Sequence, residues 1–197
     1  MNSKRIACDN CLRPLSLCYC HLISELKNAW PIYLIQHKRE QKHPLGTARI
    51  AQLALNKLHT LPVEDKAVFS LQEANALSWD NAVLIYPDKQ SKDITELCDQ
   101  APRPLVFIDA TWKKSTSILL SSPDLQDLPR YSFKTDSAPR YLIRKAAKSN
   151  YYSTLEAICL VLANLEKSSK KYEKLLTVMD WMVAQQINYI KSNNAQQ

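Results

Sequence analysis

Four cysteines fall within thirteen positions, Cys8, Cys11, Cys18 and Cys20, in a C-x2-C-x6-C-x-C pattern. Thiolates this close together can converge on one tetrahedral zinc ion, and short spacers between ligand pairs are what zinc knuckles use. Pro14 stiffens the connecting loop. The competing reading is a set of reduced or redox-active thiols; a disulfide framework is disfavoured in a reducing compartment. His21 directly follows Cys20 and could replace one sulfur, but adjacent ligands strain a loop, so the four-cysteine site is preferred. With no ligand position left open, the metal is expected to be structural and to fold residues 1–27 into a knuckle able to touch RNA. Cys98 and Cys159 stand alone in helical patterns and read as small buried hydrophobes.

A second group of residues able to do chemistry is Val106–Ser115 (VFIDATWKKS), where a carboxylate stands at the tip of an apolar run. Asp109 suits a general base or the acceptor for a ligand's amine. Trp112 offers a face for a base, and Lys113 and Lys114 suit phosphate. The structural alternative has Asp109 or Thr111 capping the following helix and Trp112 packed in the core.

Three weaker signals accompany it. Ser137–Arg144 (SAPRYLIR) sets Arg140 and Arg144 four residues apart. A guanidinium donates in parallel to phosphate or carboxylate, although two surface arginines on an edge strand would look the same. Ser153-Thr154-Leu155-Glu156 is a capping box, sufficient as a structural feature. A helix start also presents amides to an anion, so cap and binding site are compatible. Gln36-His37-Lys38-Arg39-Glu40 closes an apolar run. His37 there suits a proton donor, a stacking group or a buried structural histidine, and Glu40 a ligand contact or a loop brace.

These groups need a scaffold, and composition bounds it. The chain has 197 residues, enough for one domain with a small appendage. It carries 26 Lys and Arg against 19 Asp and Glu, a formal charge of +7 that favours an anionic partner such as nucleic acid without requiring one. Gly46 is the single glycine, which excludes a Walker loop and a Rossmann GxGxxG fingerprint. A nucleotide-like ligand would therefore need another kind of backbone loop. No window approaches the ~20 apolar residues of a membrane span. Lys4 and Arg5 are followed by no apolar run, so neither a signal peptide nor a membrane partner is expected, and a cytoplasmic location is.

Apolar runs predict strands at Trp30–His37, Ala67–Leu71, Ala82–Tyr86 and Pro104–Ile108, with short edge strands at Tyr131–Phe133 and Tyr141–Ile143. Helices are predicted from Gly46 to about Leu58 and over Ser91–Asp99, Lys113–Leu120, Ser153–Glu166 and Tyr172–Lys191, with a short helix or loop at Gln72–Asn81. This alternation implies an α/β fold, a mainly parallel sheet with helices on both faces. Ligands in such folds sit beyond the carboxyl ends of strands, which directs attention to Gln36-His37, Pro87-Asp88 and Asp109–Ser115.

Six segments, CDNCLRPLSLCYC (8–20), IQHKRE (35–40), GTARIAQLAL (46–55), IDATWKKS (108–115), APRYLIRK (138–145) and YSTLEA (152–157), together resemble the DTW-domain family. Its Asp-Thr-Trp core appears here as Asp109-Ala-Thr111-Trp112, with one residue between Asp and Thr. The resemblance implies a tRNA-uridine aminocarboxypropyltransferase related in fold to the SPOUT RNA methyltransferases. That in turn implies a SPOUT-like knotted catalytic domain over 28–197 behind the zinc knuckle. The expected reaction moves the 3-amino-3-carboxypropyl group of S-adenosylmethionine to N3 of a uridine in the tRNA variable loop, releasing methylthioadenosine.

On that basis Asp109 is the expected base. The donor is expected among Tyr86, Pro87, Asp88, Ile108, Asp109, Thr111, Ser153 and Thr154. RNA is expected at Trp112, Lys113, Lys114, Arg140, Tyr141, Arg144 and Lys145, and zinc at the four cysteines. The chain is expected to act as a monomer. A SPOUT-like methyltransferase using the same donor and a non-enzymatic zinc-knuckle RNA-binding protein are the alternatives.

Overall fold

The computed structural model of the chain describes residues 6–64, 68–70, 78–141 and 152–194. Its centre is a sheet of six strands: β1 (Ile32–His37), β2 (Leu58–Val63), β3 (Val83–Ile85), β4 (Lys92–Asp93), β5 (Leu105–Asp109) and β6 (Arg130–Ser132). They run in the order β2-β1-β5-β3-β6-β4, and every pairing among them is parallel. The helices are α1 (Lys38–Gln41), α2 (Ala48–Ala54), α3 (Trp112–Ser121), α4 (Pro123–Asp127), α5 (Thr154–Leu165) and α6 (Ser169–Asn194).

Alternation along the strands explains why helices cover both faces. Ile32, Leu34, Leu105 and Phe107 point into a core shared with α2, α5 and α6. Their neighbours Tyr33, Ile35 and Val106 point the other way, against Ile118 and Leu119 of α3 and Leu125 of α4. On α5, Leu155, Ile158, Val161 and Leu162 are fully buried. Each such side chain contributes roughly 1.5–3 kcal/mol, so packing rather than propensity holds this helix.

The predicted α/β class, parallel sheet and two helical layers are all present. Several elements differ from expectation. The helix predicted to reach Leu58 ends at Ala54, and Leu58–Val63 is instead the edge strand β2. Asn28 causes the break: its carboxamide accepts from the Lys57 amide and donates to the Trp30 and Lys57 carbonyls, holding the chain in a turn. β2 tolerates Pro62, which has no N–H to give, because an edge strand need not donate outward.

Ser91–Asp99 forms β4 and a 3-10 turn, Ile94–Leu97, capped by the Asp93 carboxylate. The segment read as an edge strand near Tyr131 is interior, paired with β3 and β4. Val68–Ser70 is not a strand. The remainder of that predicted strand, most of Gln72–Asn81, and Leu142-Ile143 lie outside the described residues.

The knuckle packs onto the same core as α2, α5 and α6: Cys11 and Tyr19 are buried in it. It begins with two backbone bonds, Leu12 N to Cys8 O and Cys8 N to Arg13 O, and Leu12 adopts φ 60° to close the turn. The knot implied by the resemblance is not shown among the described residues; the β6–α5 connection includes residues 142–151, which lie outside them.

Candidate active site

The carboxyl ends of β3, β5 and β6 and the first turns of α3 and α5 enclose a cavity of about 390 Å³. Its walls include Tyr86 and Pro87 after β3, Ile108 and Ala110 around the end of β5, Phe133 after β6, and Thr154 on α5. Pairing fixes this arrangement, since parallel strands deliver all their carboxyl ends to one rim.

Asp109 ends β5 and is 9% exposed. Thr154 Oγ1 donates to its Oδ1 at 2.5 Å, and Gln36 Nε2 donates to its Oδ2 at 2.8 Å. Gln36 Oε1 in turn accepts from Gln52 Nε2, which also reaches Thr60 Oγ1. A partly buried polar line thus joins β2, α2, β1, β5 and α5 at the rim, and it fixes which end of the Gln36 amide faces Asp109. The strand tip at Asp109 and the helix start at Ser153-Thr154 meet in space through the Thr154 hydrogen bond.

The helix-capping alternative for the Asp109–Trp112 segment does not hold. Thr111 occupies the N-cap of α3 with no side-chain bond to the helix, and Asp109 faces Gln36 and Thr154. Trp112 is 39% exposed, lines the cavity and stands edge-on to Tyr86 with centroids 5.9 Å apart. The Tyr86 hydroxyl bonds Thr116. Lys113 is exposed. Lys114 Nζ lies 3.0 Å from Nε2 of buried His37, whose Nδ1 accepts the Arg39 amide.

Other expected residues have structural partners. Asp88 does not line the cavity; it pairs with Arg130 at 2.8 Å and accepts the Gln90 amide. The Ser153 hydroxyl and amide both reach Glu156, completing the capping box, so Thr154 is the member of the pair that lines the cavity. Arg140, expected at phosphate, extends its guanidinium to Glu173 (2.5 Å) and to Asp180, while its amide donates to Glu156 Oε1. The Tyr141 hydroxyl donates to the Leu45 carbonyl. Arg144 and Lys145 lie outside the described residues.

The four cysteine sulfurs lie within 4.8 Å of one another. Cys8–Cys20 and Cys11–Cys18 sulfurs are each 3.7 Å apart. A tetrahedron with Zn–S of ~2.3 Å places sulfurs ~3.8 Å apart, so the set fits zinc. Backbone amides of Cys11 and Asn10 bring the Cys8 thiol down to about 6, whereas burial and the neighbouring sulfurs push Cys20 up. Four thiols so close resist ionising together, and a divalent cation removes that conflict. His21 is not in the cluster; its ring packs edge-on against Trp181.

Gln52, Phe133 and Tyr152 were not singled out from the sequence. Phe133 follows β6, so inspection of strand ends would have found it had that strand been read as interior. Gln52 carries no local signal, because its role depends on pairing across the sheet.

The chain matches the DTW domain over residues 5–187. It is 28% identical to a Drosophila melanogaster protein named tRNA-uridine aminocarboxypropyltransferase 2, over 94% of this chain and 77% of that one. It is 23% identical to the Arabidopsis thaliana tRNA-uridine aminocarboxypropyltransferase A, over 95% of this chain and 83% of the relative. To the Mus musculus tRNA-uridine aminocarboxypropyltransferase 2 it is also 23% identical, spanning 65% of that protein's length. No solved structure matches it significantly. A match covering nearly the whole chain, with the Asp109–Trp112 segment at the cavity rim, shows that the chain belongs to the DTW domain family.

Proposed function

We propose that this chain transfers the 3-amino-3-carboxypropyl group of S-adenosylmethionine to N3 of a uridine in the tRNA variable loop. The observation that carries the reading is a cavity whose walls include Ile108, Ala110 and Thr154, with Asp109 between the first two in sequence and hydrogen-bonded to the third, in a chain whose relatives are named for this activity. At about 390 Å³ the cavity lies in the range of small-molecule sites, with mostly apolar and aromatic walls and a few polar groups. It needs no glycine-rich loop, consistent with a chain holding one glycine.

The uridine N3–H loses its proton, an N3–Cγ bond forms, and the Cγ–sulfonium bond breaks to leave neutral methylthioadenosine. Tyr86, Pro87, Ile108 and Thr154 hold the donor so that Cγ, and not the methyl, faces the nucleophile; orientation of this kind contributes roughly 7–11 kcal/mol in favourable systems. Asp109 takes the N3 proton, its carboxylate aimed by Gln36 and Thr154. A carboxylate oxygen carries two lone pairs, so an accepted hydrogen bond does not by itself prevent it from taking up a proton. Exposed Trp112 stacks on the splayed pyrimidine, and Lys113 and Lys114 meet phosphate. Arg140 acts one step removed, clamping the segment before α5 onto α6. Zinc held by Cys8, Cys11, Cys18 and Cys20 would supply a structural crosslink.

The test is incubation of purified protein with tRNA and S-adenosylmethionine, followed by nucleoside mass analysis. Aminocarboxypropyluridine with methylthioadenosine is the expected pair of products. A methylated nucleoside with S-adenosylhomocysteine would make the chain a methyltransferase, and no modification would refute transferase activity.

A further inference from the structure

Arg13 lies between the second and third cysteines and is 1% exposed, among the largest fully buried side chains. A buried guanidinium is ordinarily met by a carboxylate or by several carbonyls. Here Nε and Nη2 have no hydrogen-bond partner among the described residues. Nη1 makes one long contact, 3.4 Å, to the Pro44 carbonyl. Among the described residues, the ionisable groups acting on it are Tyr19, Cys11 and Tyr141, none of them a carboxylate. A cation in this position is costly unless an anion is close by.

A loaded four-cysteine metal centre would supply such an anion. Four thiolates around one divalent ion carry a net charge of −2, in the low-dielectric wall formed by Cys11 and Tyr19. The backbone also ties Arg13 to the cluster, since its carbonyl accepts the Cys8 amide at 2.8 Å.

We infer that Arg13 is the buried counter-charge of the four-cysteine metal centre and connects it to the loop before α2. Pro44 and Leu45 present consecutive carbonyls to Arg13 and Tyr141. Gly46 closes the same loop, where an added Cβ would stand 3.1 Å from the His43 carbonyl and 3.3 Å from that of Glu40. The loop directly follows α1, which His37 caps at the active-site end of β1. Metal occupancy and loop position therefore stabilise one another, and the coupling is reciprocal.

The inference rests on the metal reading, so the experiment separates the two. Zinc stoichiometry is measured on the native chain by native mass spectrometry, and zinc affinity by competition with a chromophoric chelator. Arg13→Met, which keeps the length and removes the charge, is expected to bind zinc at least tenfold more weakly. Arg13→Lys, which keeps the charge, is expected to stay within threefold of native. Zinc affinity of folded Arg13→Met within twofold of native overturns the inference, as does an Arg13→Lys protein weakened tenfold. If Arg13→Met does not fold, the Arg13→Lys result decides alone. A native chain that takes up no zinc overturns the metal reading and this inference with it.

Discussion

Replacing Asp109 by Asn keeps the shape of the side chain and removes its charge, and the hydrogen-bond line limits how the protein can respond. In the native site Thr154 Oγ1 and Gln36 Nε2 both donate to the carboxylate. Gln36 cannot turn its amide over without presenting its NH2 group to Gln52 Nε2, which donates to it at 3.0 Å. The Asn oxygen must therefore face Gln36, its NH2 must face Thr154, and the threonine hydroxyl must reverse to accept.

Among the described partners, two bonds to an anion then become two neutral ones. Each falls from roughly 1.5–3 to roughly 0.5–1.5 kcal/mol, a gross loss of roughly 2–3 kcal/mol. Burying a neutral group instead of an anion returns part of that, leaving a net destabilisation of about 1–2 kcal/mol and a Tm lower by roughly 2–8 °C for a chain this size. The protein stays folded, while loss of a general base slows transfer by roughly 10²–10⁴. The assay is single-turnover formation of the modified uridine at saturating donor, with melting followed on the same sample. Native-rate modification by Asp109→Asn would refute Asp109 as the proton acceptor. A protein unfolded at room temperature would refute the accounting of the hydrogen bonds.

Arg130→Met removes the partly buried partner of Asp88 and releases the turn after β3. We expect a loss of about 2 kcal/mol in a urea titration and a three- to tenfold weaker Kd for S-adenosylmethionine by calorimetry; an unchanged Kd would separate this turn from the donor site. Lys167 holds φ 50° in the α5–α6 turn, a conformation costing a non-glycine residue roughly 1–2 kcal/mol. Its exposed pair with Asp99 contributes at most about 1 kcal/mol. Lys167→Gly should raise stability by roughly 0.5–1 kcal/mol, and a lower urea midpoint would show that the turn is not strained.

Local signals in the sequence were sufficient for the features that neighbouring residues decide. The spacing of Cys8, Cys11, Cys18 and Cys20 brings four sulfurs together through a short loop, and Ser153–Glu156 forms its capping box within one turn. The apolar run before Asp109 becomes β5, and the periodic stretches after Ser153 become α5 and α6. Tertiary structure decided whatever depends on residues distant in the chain. Leu58–Val63 is a strand because β1 pairs with it, where local periodicity predicts a helix reaching Leu58. Arg140 faces Glu173 and Asp180, which lie on a helix that nothing near residue 140 specifies. The carboxylate of Asp109 is aimed by Gln36 and Thr154, 73 and 45 positions away. Spacing and periodicity encode neighbours along the chain, and only the order of the strands brings positions 36, 109 and 154 to one rim.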